Sequence, residues 1–237
     1  MAVSRKGLLE PATAKPLTVR AYQAIKNQII TNQLKPGDPI SPDRLVRQLK
    51  LSKTPVREAM LQLAQEGFIE ILPRMGTFVA HLDLRRIQEM YEVRMLVESY
   101  AAKLAADLVP DIAIKSVLSN LLRLNAEGDR INVKALSEAG HDLHCLIVEN
   151  CGNRVLAQSI LSLRDHFAHF RSLSLQIPEK VISSHAEHIR IAEALCARDG
   201  KLAEKLVQAH FDHAARSLVD SLLKPSAESR TRLIVSE

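Results

Sequence analysis

Residues 51 to 64 read LSKTPVREAMLQLA, and the period of this stretch leaves little freedom of structure. Val56, Met60 and Leu63 fall on one face of a helix that begins after Ser52, while Lys53, Thr54 and Arg57 lie on the opposite, exposed face. Pro55 stands in the first turn, where its missing N–H leaves no helical bond unmade. Such a helix buries one side in a small core and turns a polar, basic side towards a partner that carries phosphates and base edges.

The flanking sequence places this helix in a larger unit. Tyr22, Ile25, Ile29 and Ile30 fit an amphipathic helix over about 18–32, closed by the turn Lys35-Pro36-Gly37-Asp38. A second helix is expected over about 41–49, with Ser41 as N-cap, Pro42 at its first position and Leu45, Val46 and Leu49 facing inward. Only a few residues then separate it from the opening stretch, which makes the pair a helix-turn-helix. After Gly67 the period switches to two: Phe68, Ile69 and Ile71 form one strand, Thr77, Phe78 and Val79 another, and Pro73-Arg74-Met75-Gly76 turns between them. A hairpin in this place is a wing with a basic tip at Arg74.

Charge follows the same division. Residues 1–82 hold twelve Lys and Arg against six Asp and Glu, whereas residues 83–237 hold twenty against twenty-one. The positive excess therefore belongs to the first third, as an anionic partner for that part alone requires. The three cysteines, Cys145, Cys151 and Cys196, show no C-x-x-C spacing, so neither a disulfide framework nor a thiolate zinc site is suggested. No apolar run is long enough to span a membrane, and the N-terminus lacks the apolar core of a signal peptide, so a cytoplasmic protein without membrane partners is expected. Residues 1–16 are read as a flexible arm and 224–237 as a flexible tail.

From Leu84 onward almost every segment carries the helical period. Helices are expected over about 84–109, 111–126, 132–150, 154–175, 181–198 and 200–223, with breaks at Pro110, Gly128-Asp129, Cys151-Gly152-Asn153 and Pro178. The fold class is thus mainly α: a winged helix-turn-helix over 17–81, then an all-α bundle over 84–223. Eight of the nine histidines form four His-x-x-His pairs in this bundle: His141/His144, His166/His169, His185/His188 and His210/His213. A single inward histidine is more often a hydrogen-bonded core residue than a ligand. Several on different helices of one bundle shift that balance, because neutral imidazole is the commonest side-chain metal ligand and a bundle gathers ligands from distant segments. Nothing in the chain has the spacing of a catalytic triad or a nucleophile elbow.

The linked motifs Leu34-Lys35-Pro36-Gly37, Ser52-Lys53-Thr54-Pro55-Val56-Arg57-Glu58-Ala59, Glu66-Gly67-Phe68 and Pro73-Arg74-Met75-Gly76-Thr77-Phe78-Val79 closely resemble the winged-helix domain of GntR-family bacterial transcription regulators. The resemblance implies that Lys53, Thr54 and Arg57 meet DNA in the major groove, that Arg44 lies near the backbone, and that Arg74 and Gly76 reach the minor groove. The family more often has Arg where this chain has Lys53, and Lys cannot make the bidentate fork. The bundle is similar to the FadR-type C-terminal (FCD) ligand-binding domain. That likeness rests on Tyr91-Glu92-Val93-Arg94 with Glu98 and Ala101-Ala102, on His144 with Gly152-Asn153, and on residues 188–195, Asp199 and His210.

In metal-binding members of that family three histidines and an aspartate hold a divalent ion. The histidines match His144, His188 and His210, while the aspartate position falls on Gly140. Two outcomes stay open. One is a three-histidine site for zinc, with nickel as the alternative, completed by His141, Asp142, water or the effector; the other is a metal-free polar pocket. The resemblance places Arg94 against an effector carboxylate, although a structural pair of Arg94 with Glu98 or another acid fits nearly as well; His141 is taken as a second effector-binding candidate. His166, His169, His185 and His213 are read as surface or cavity-lining residues.

The expected function is a homodimeric repressor that binds a double-stranded DNA operator and is controlled by a small organic acid. Two rivals from other classes are a metal-dependent enzyme using the histidine bundle and an architectural DNA-binding protein with no effector.

Overall fold

The computed structural model describes residues 16–81, 83–126 and 132–223, which divide into two compact units, residues 1–81 and 82–237. The expected arm, save for Pro16, the tail and the turn at Gly128-Asp129 lie outside the described residues.

The first unit is built from α1 (Leu17–Ile30), α2 (Pro42–Leu49), α3 (Lys53–Glu66) and an antiparallel hairpin of β1 (Ile69–Leu72) and β2 (Gly76–Val79). Ser41 caps α2 as its composition requires, its hydroxyl oxygen accepting from the Arg44 N–H at 3.3 Å. Lys50 then adopts a left-handed conformation that reverses the chain into α3. Ala21, Ile25 and Ile29 of α1 meet Leu45 of α2 and Val56, Ala59, Met60 and Leu63 of α3 in a core closed by Phe68, Ile69 and Val79. The wing is fastened to the α1–α2 connection: Ile40 donates to the Thr77 carbonyl at 2.8 Å, and Val79 donates to that of Asp38 at 2.9 Å.

A polar clamp joins α1 to the end of α3. Lys26, almost fully buried, reaches Glu66 at 2.7 Å, and the Tyr22 hydroxyl donates to the same carboxylate at 2.8 Å. The Lys26 ammonium also sits 4.7 Å from the centre of the Phe68 ring. A lysine this buried persists because its charge is both paired and faced by an aromatic ring.

The second unit comprises α4 (Leu84–Leu108), α5 (Asp111–Asn125), α6 (Val133–Glu149), α7 (Arg154–Ser174), α8 (Pro178–Cys196) and α9 (Gly200–Leu223). Buried Ala101, Ala102, Ala105 and Ala106 let α4 lie closely along α9, where Ala203, Val207 and Phe211 face the same core. Asn132 and Asn153 cap α6 and α7 through their side-chain oxygens. Helix α8 begins at Pro178 rather than at Val181, because a proline at the first helical position starts a helix instead of breaking it. It ends at Cys196, before the expected residue 198, since Arg198 is left-handed. The guanidinium of Arg198 donates to the carbonyls of Ala106 and Val109 at the end of α4, both at 2.8 Å. None of the described helices is long and apolar enough to cross a membrane.

Candidate functional site

Two surfaces carry chemistry, one in each unit. On the first, Lys53, Thr54 and Arg57 project from the N-terminal half of α3, opposite the buried Val56, Met60 and Leu63. All three are exposed, as are Arg44 on α2 and Arg74 at the wing tip. Lys53 forms an ion pair of 3.1 Å with Asp43, but both side chains are largely in water, so the contact is weak and open to exchange. At the wing, Arg74 and Gly76 both have positive φ, 65° and 123°. The glycine lets the chain turn tightly into β2 and leaves the backbone at the tip free of a side chain.

On the second, a cavity of about 520 Å³ opens between α4, α6, α7, α8 and α9. At its buried end stand His144 of α6, His188 of α8 and His210 of α9, whose ligand atoms all lie within 4.8 Å of one another. The Nε2 atoms of His144 and His188 are 3.2 Å apart. Two nitrogens each about 2.0–2.1 Å from one zinc at the tetrahedral angle are about 3.3–3.4 Å apart, so this separation suits a shared ion.

The surroundings of the rings sharpen the fit. His144 Nδ1 contacts the fully buried carboxylate of Glu98, and His210 Nδ1 donates to Glu187 at 2.8 Å. A carboxylate on Nδ1 fixes the proton there and leaves the Nε2 lone pair facing inward, which is how metal-bound histidines are usually held. Burial pushes the pKa of His188 well below its ordinary value and that of His210 to about 4, so both rings are neutral and their lone pairs available. His188 Nδ1 is buried without a hydrogen-bond partner among the described residues. The donor set of three imidazoles, two of them backed by carboxylates, fits a divalent ion.

Gly140 lies directly beneath this cluster on α6. A Cβ at that position would overlap the His188 ring, lying 2.5 Å from its Nδ1. The imidazole of α8 thus fills the space where the resembled family carries its aspartate. His141 lines the cavity but stays outside the three-histidine cluster, at its exposed side, with Nε2 3.6 Å from the Cys145 sulfur. Asp142 is exposed and is not among the cavity residues. Neither residue completes the ligand set in this conformation.

Arg94 sits in the cavity wall with its guanidinium carbon 4.4 Å from the Phe167 ring centre and 4.5 Å from that of Phe211. Its Nε donates to Glu98 at 2.9 Å, so the structural pair with Glu98 is present. Its two terminal nitrogens make no hydrogen bond among the described residues and remain as donors towards the cavity. Burial alone would raise the pKa of Glu98, but the charge of Arg94 and the contact with His144 hold it down, at about 2. Glu98 therefore serves two partners at once, orienting Arg94 through one oxygen and His144 through the other.

Several features lie beyond sequence reasoning. Glu187 bridges His210 and His213, bonding the latter at 2.6 Å, and His213 lines the cavity as expected. His185 is buried, with Nε2 3.0 Å from the Leu121 carbonyl, and His169 is buried on α7. Neither lines the cavity, which corrects the expectation for both: their faces of α8 and α7 turn into the core. Arg171, also on α7, joins the cavity wall without any motif to mark it.

Comparison with known proteins agrees with these two units. Residues 17–79 match the family of bacterial regulatory proteins, gntR family, and residues 89–213 match the FCD domain. The chain is 23% identical over 207 residues to the HTH-type transcriptional repressor RspR of Escherichia coli, covering 86% of this chain and 90% of that one. It is 26% identical over 203 residues to the Nta operon transcriptional regulator of Aminobacter aminovorans, covering 86% and 95%. The solved structure of E. coli McbR/YncC shares the fold with a TM-score of 0.67 at 21% identity, over 88% of this chain and all of that one, 100%. With a gntR-type helix-turn-helix followed by an FCD bundle, the chain belongs to the FCD-containing GntR family of DNA-binding transcription regulators.

Proposed function

We propose that this regulator is a homodimeric repressor whose affinity for a double-stranded operator is set by a small organic acid bound in the bundle cavity beside a divalent metal. One observation carries this reading: three buried imidazoles converge next to Arg94, a guanidinium with unused donors, inside a cavity of the size that holds small ligands. His144, His188 and His210 would hold zinc, or nickel, and the ion would act as a Lewis-acidic anchor for an anionic oxygen. Arg94 would take a carboxylate of the effector, with His141 at the open side of the cavity.

At the DNA end, Arg57 would read base edges in the major groove, while Lys53, Thr54 and Arg44 fasten the unit to phosphates and Arg74 and Gly76 approach the minor groove. The repressor sign is supported by a relative that bears that name. The dimer is supported by the exposed apolar stripe Val93, Leu96 and Tyr100 on α4, a surface that suits a second copy of the chain. A protein of this kind works in the cytoplasm.

The test is fluorescence anisotropy on a duplex selected from a random pool, with full-length protein before and after chelation, and with a panel of C3 to C6 carboxylic acids. The reading requires one acid to change operator affinity at least five-fold and His188→Ala to lower metal content by elemental analysis without unfolding the bundle. Equal metal content in the two proteins removes the metal from the site. If no acid moves either affinity or melting temperature, the bundle has only an architectural role.

A further inference from the structure

Three guanidinium groups stand in the cavity wall, those of Arg94, Arg164 and Arg171, and sequence motifs single out only the first. Arg171 of α7 lines the same cavity and is half-buried, yet its side chain makes no ion pair and no hydrogen bond among the described residues. Its neighbour Arg164, one heptad earlier and exposed, pairs with Asp165 at 3.4 Å. Glu138 and Asp142 of α6 attract it electrostatically but form no ion pair with it. A partly desolvated cation without a partner is costly, and folded proteins seldom keep one unless a ligand supplies the missing charge.

The position of Arg171 relative to the histidine cluster gives that charge a shape. His144, His188 and His210 occupy the buried end with Arg94 beside them, whereas Arg171 acts electrostatically on His141 and Cys145, the residues at the more exposed side of α6. Burial and the neighbouring charge of Arg94 both lower the proton affinity of Arg171, so the two cations repel one another across the cavity. A single carboxylate at the Arg94 end would relieve that repulsion only in part. A molecule with an anionic group at each end would satisfy both cations and leave its middle against the apolar wall around Phe167 and Leu218.

We infer that the effector is a small acid with two anionic groups, one held at the Arg94 and histidine end and the second held by Arg171. This rests on the acid-binding reading of the cavity and adds the charge number and a specificity residue. Arg171 then separates diacids from monoacids of the same length by the strength of a charge-assisted hydrogen bond in a partly dry site.

The experiment is calorimetric titration and thermal melting of the full-length protein with matched probes: butanoate against butanedioate, and pentanoate against pentanedioate. At least one diacid should bind about ten-fold or more tightly than its monoacid, and Arg171→Met should remove that preference while leaving monoacid binding unchanged. Free of ligand, the Arg171→Met protein should melt no lower than wild type, because an unpaired cation has been replaced by an apolar chain of similar length; Arg171→Gln serves as a second variant with the same expectation. Equal affinity for monoacid and diacid in wild type, or a diacid preference that survives Arg171→Met, overturns the inference and leaves the acid cavity standing. A ligand-free variant that melts several degrees lower shows Arg171 to be structural and also overturns it. Silence of all four acids overturns the acid cavity itself.

Discussion

Gly140 and His188 share one volume: the imidazole of α8 lies where any side chain on residue 140 of α6 would have to stand. The lack of a side chain at residue 140 therefore has a steric meaning. It is the condition for His188 to sit where it does, and the two residues are expected to behave as a pair under mutation.

Gly140→Ala should lower the melting temperature and the metal content. Alanine in a helix interior ordinarily gains about 1 kcal/mol over glycine, but forcing a methyl into a packed site costs about 1–3 kcal/mol, and here the obstructing atoms belong to a buried ring. The same change in a His188→Ala background should be neutral or stabilising. A double-mutant cycle on denaturant midpoints measures the coupling, and strictly additive effects would sink the steric account. Gly140→Asp is expected to displace His188 instead of adding a fourth ligand, visible as unchanged or reduced metal content.

Acid should unfold the two units in different windows. Burial raises the pKa of Glu66, but the bonds from Lys26 and Tyr22 outweigh it and the net shift is downward from 4.5. A carboxylate with a depressed folded pKa contributes stability above its unfolded value and loses it as pH falls through the folded one, so the DNA-binding unit should weaken below about pH 4.5. His185 is also depressed, by burial, from 6.5, and it contributes stability above that value that is lost as pH falls further. The bundle should thus begin to soften below about pH 6.5, before the first unit. Circular dichroism melts from pH 7 to 3.5 check the order, and Glu66→Gln should flatten the lower limb only.

The exposed residues of α3 should divide by role. Arg57→Ala is expected to cost about 1–3 kcal/mol on the operator and to relax preference at one base position. Lys53→Ala should weaken all duplexes alike and reduce the salt slope by about one if, as proposed, its ammonium leaves the weak pair with Asp43 for a phosphate. Anisotropy at four salt concentrations on operator and scrambled duplexes separates the two, and identical behaviour of both variants contradicts the division.

If the protein is the proposed homodimer, Leu96→Glu should split it. Leu96 is 65% exposed in the single chain, in line with Val93 and Tyr100 on α4, and a charge in the middle of that stripe would have to be desolvated on association. Sedimentation at micromolar concentration should show a monomer with unchanged helical content. A variant that remains dimeric moves the interface elsewhere.

Much of this architecture is legible in the sequence where one residue type has one local use. Pro42 after Ser41, the short connection before α3, and the alternation on both sides of Pro73-Arg74-Met75-Gly76 follow from local rules, and α2, α3 and the wing stand accordingly. His144, His188 and His210 also come together, from three helices. What the sequence hides is tertiary choice among equivalent partners. Nothing in the spacing of four His-x-x-His pairs says that His185 turns to a carbonyl of α5 while His188, three residues on, turns to the cavity. Likewise Glu187 is adjacent to His188 in sequence yet bonds two other histidines, because its side chain leaves α8 on the side of α9. Pro178 misleads for a simpler reason: the same residue both breaks a helix and begins one.

The Lys26–Glu66 clamp grips α3 at its last residue, nine positions beyond Arg57. About 13 Å of helix therefore separates the anchored end from the end proposed to meet DNA. The reading residues are carried like the bit of a key on a fixed shank. On the proposed reading, substitutions at 53, 54 and 57 would change which operator is opened without loosening the mount, so new binding preferences could arise in this scaffold at little cost to its folding.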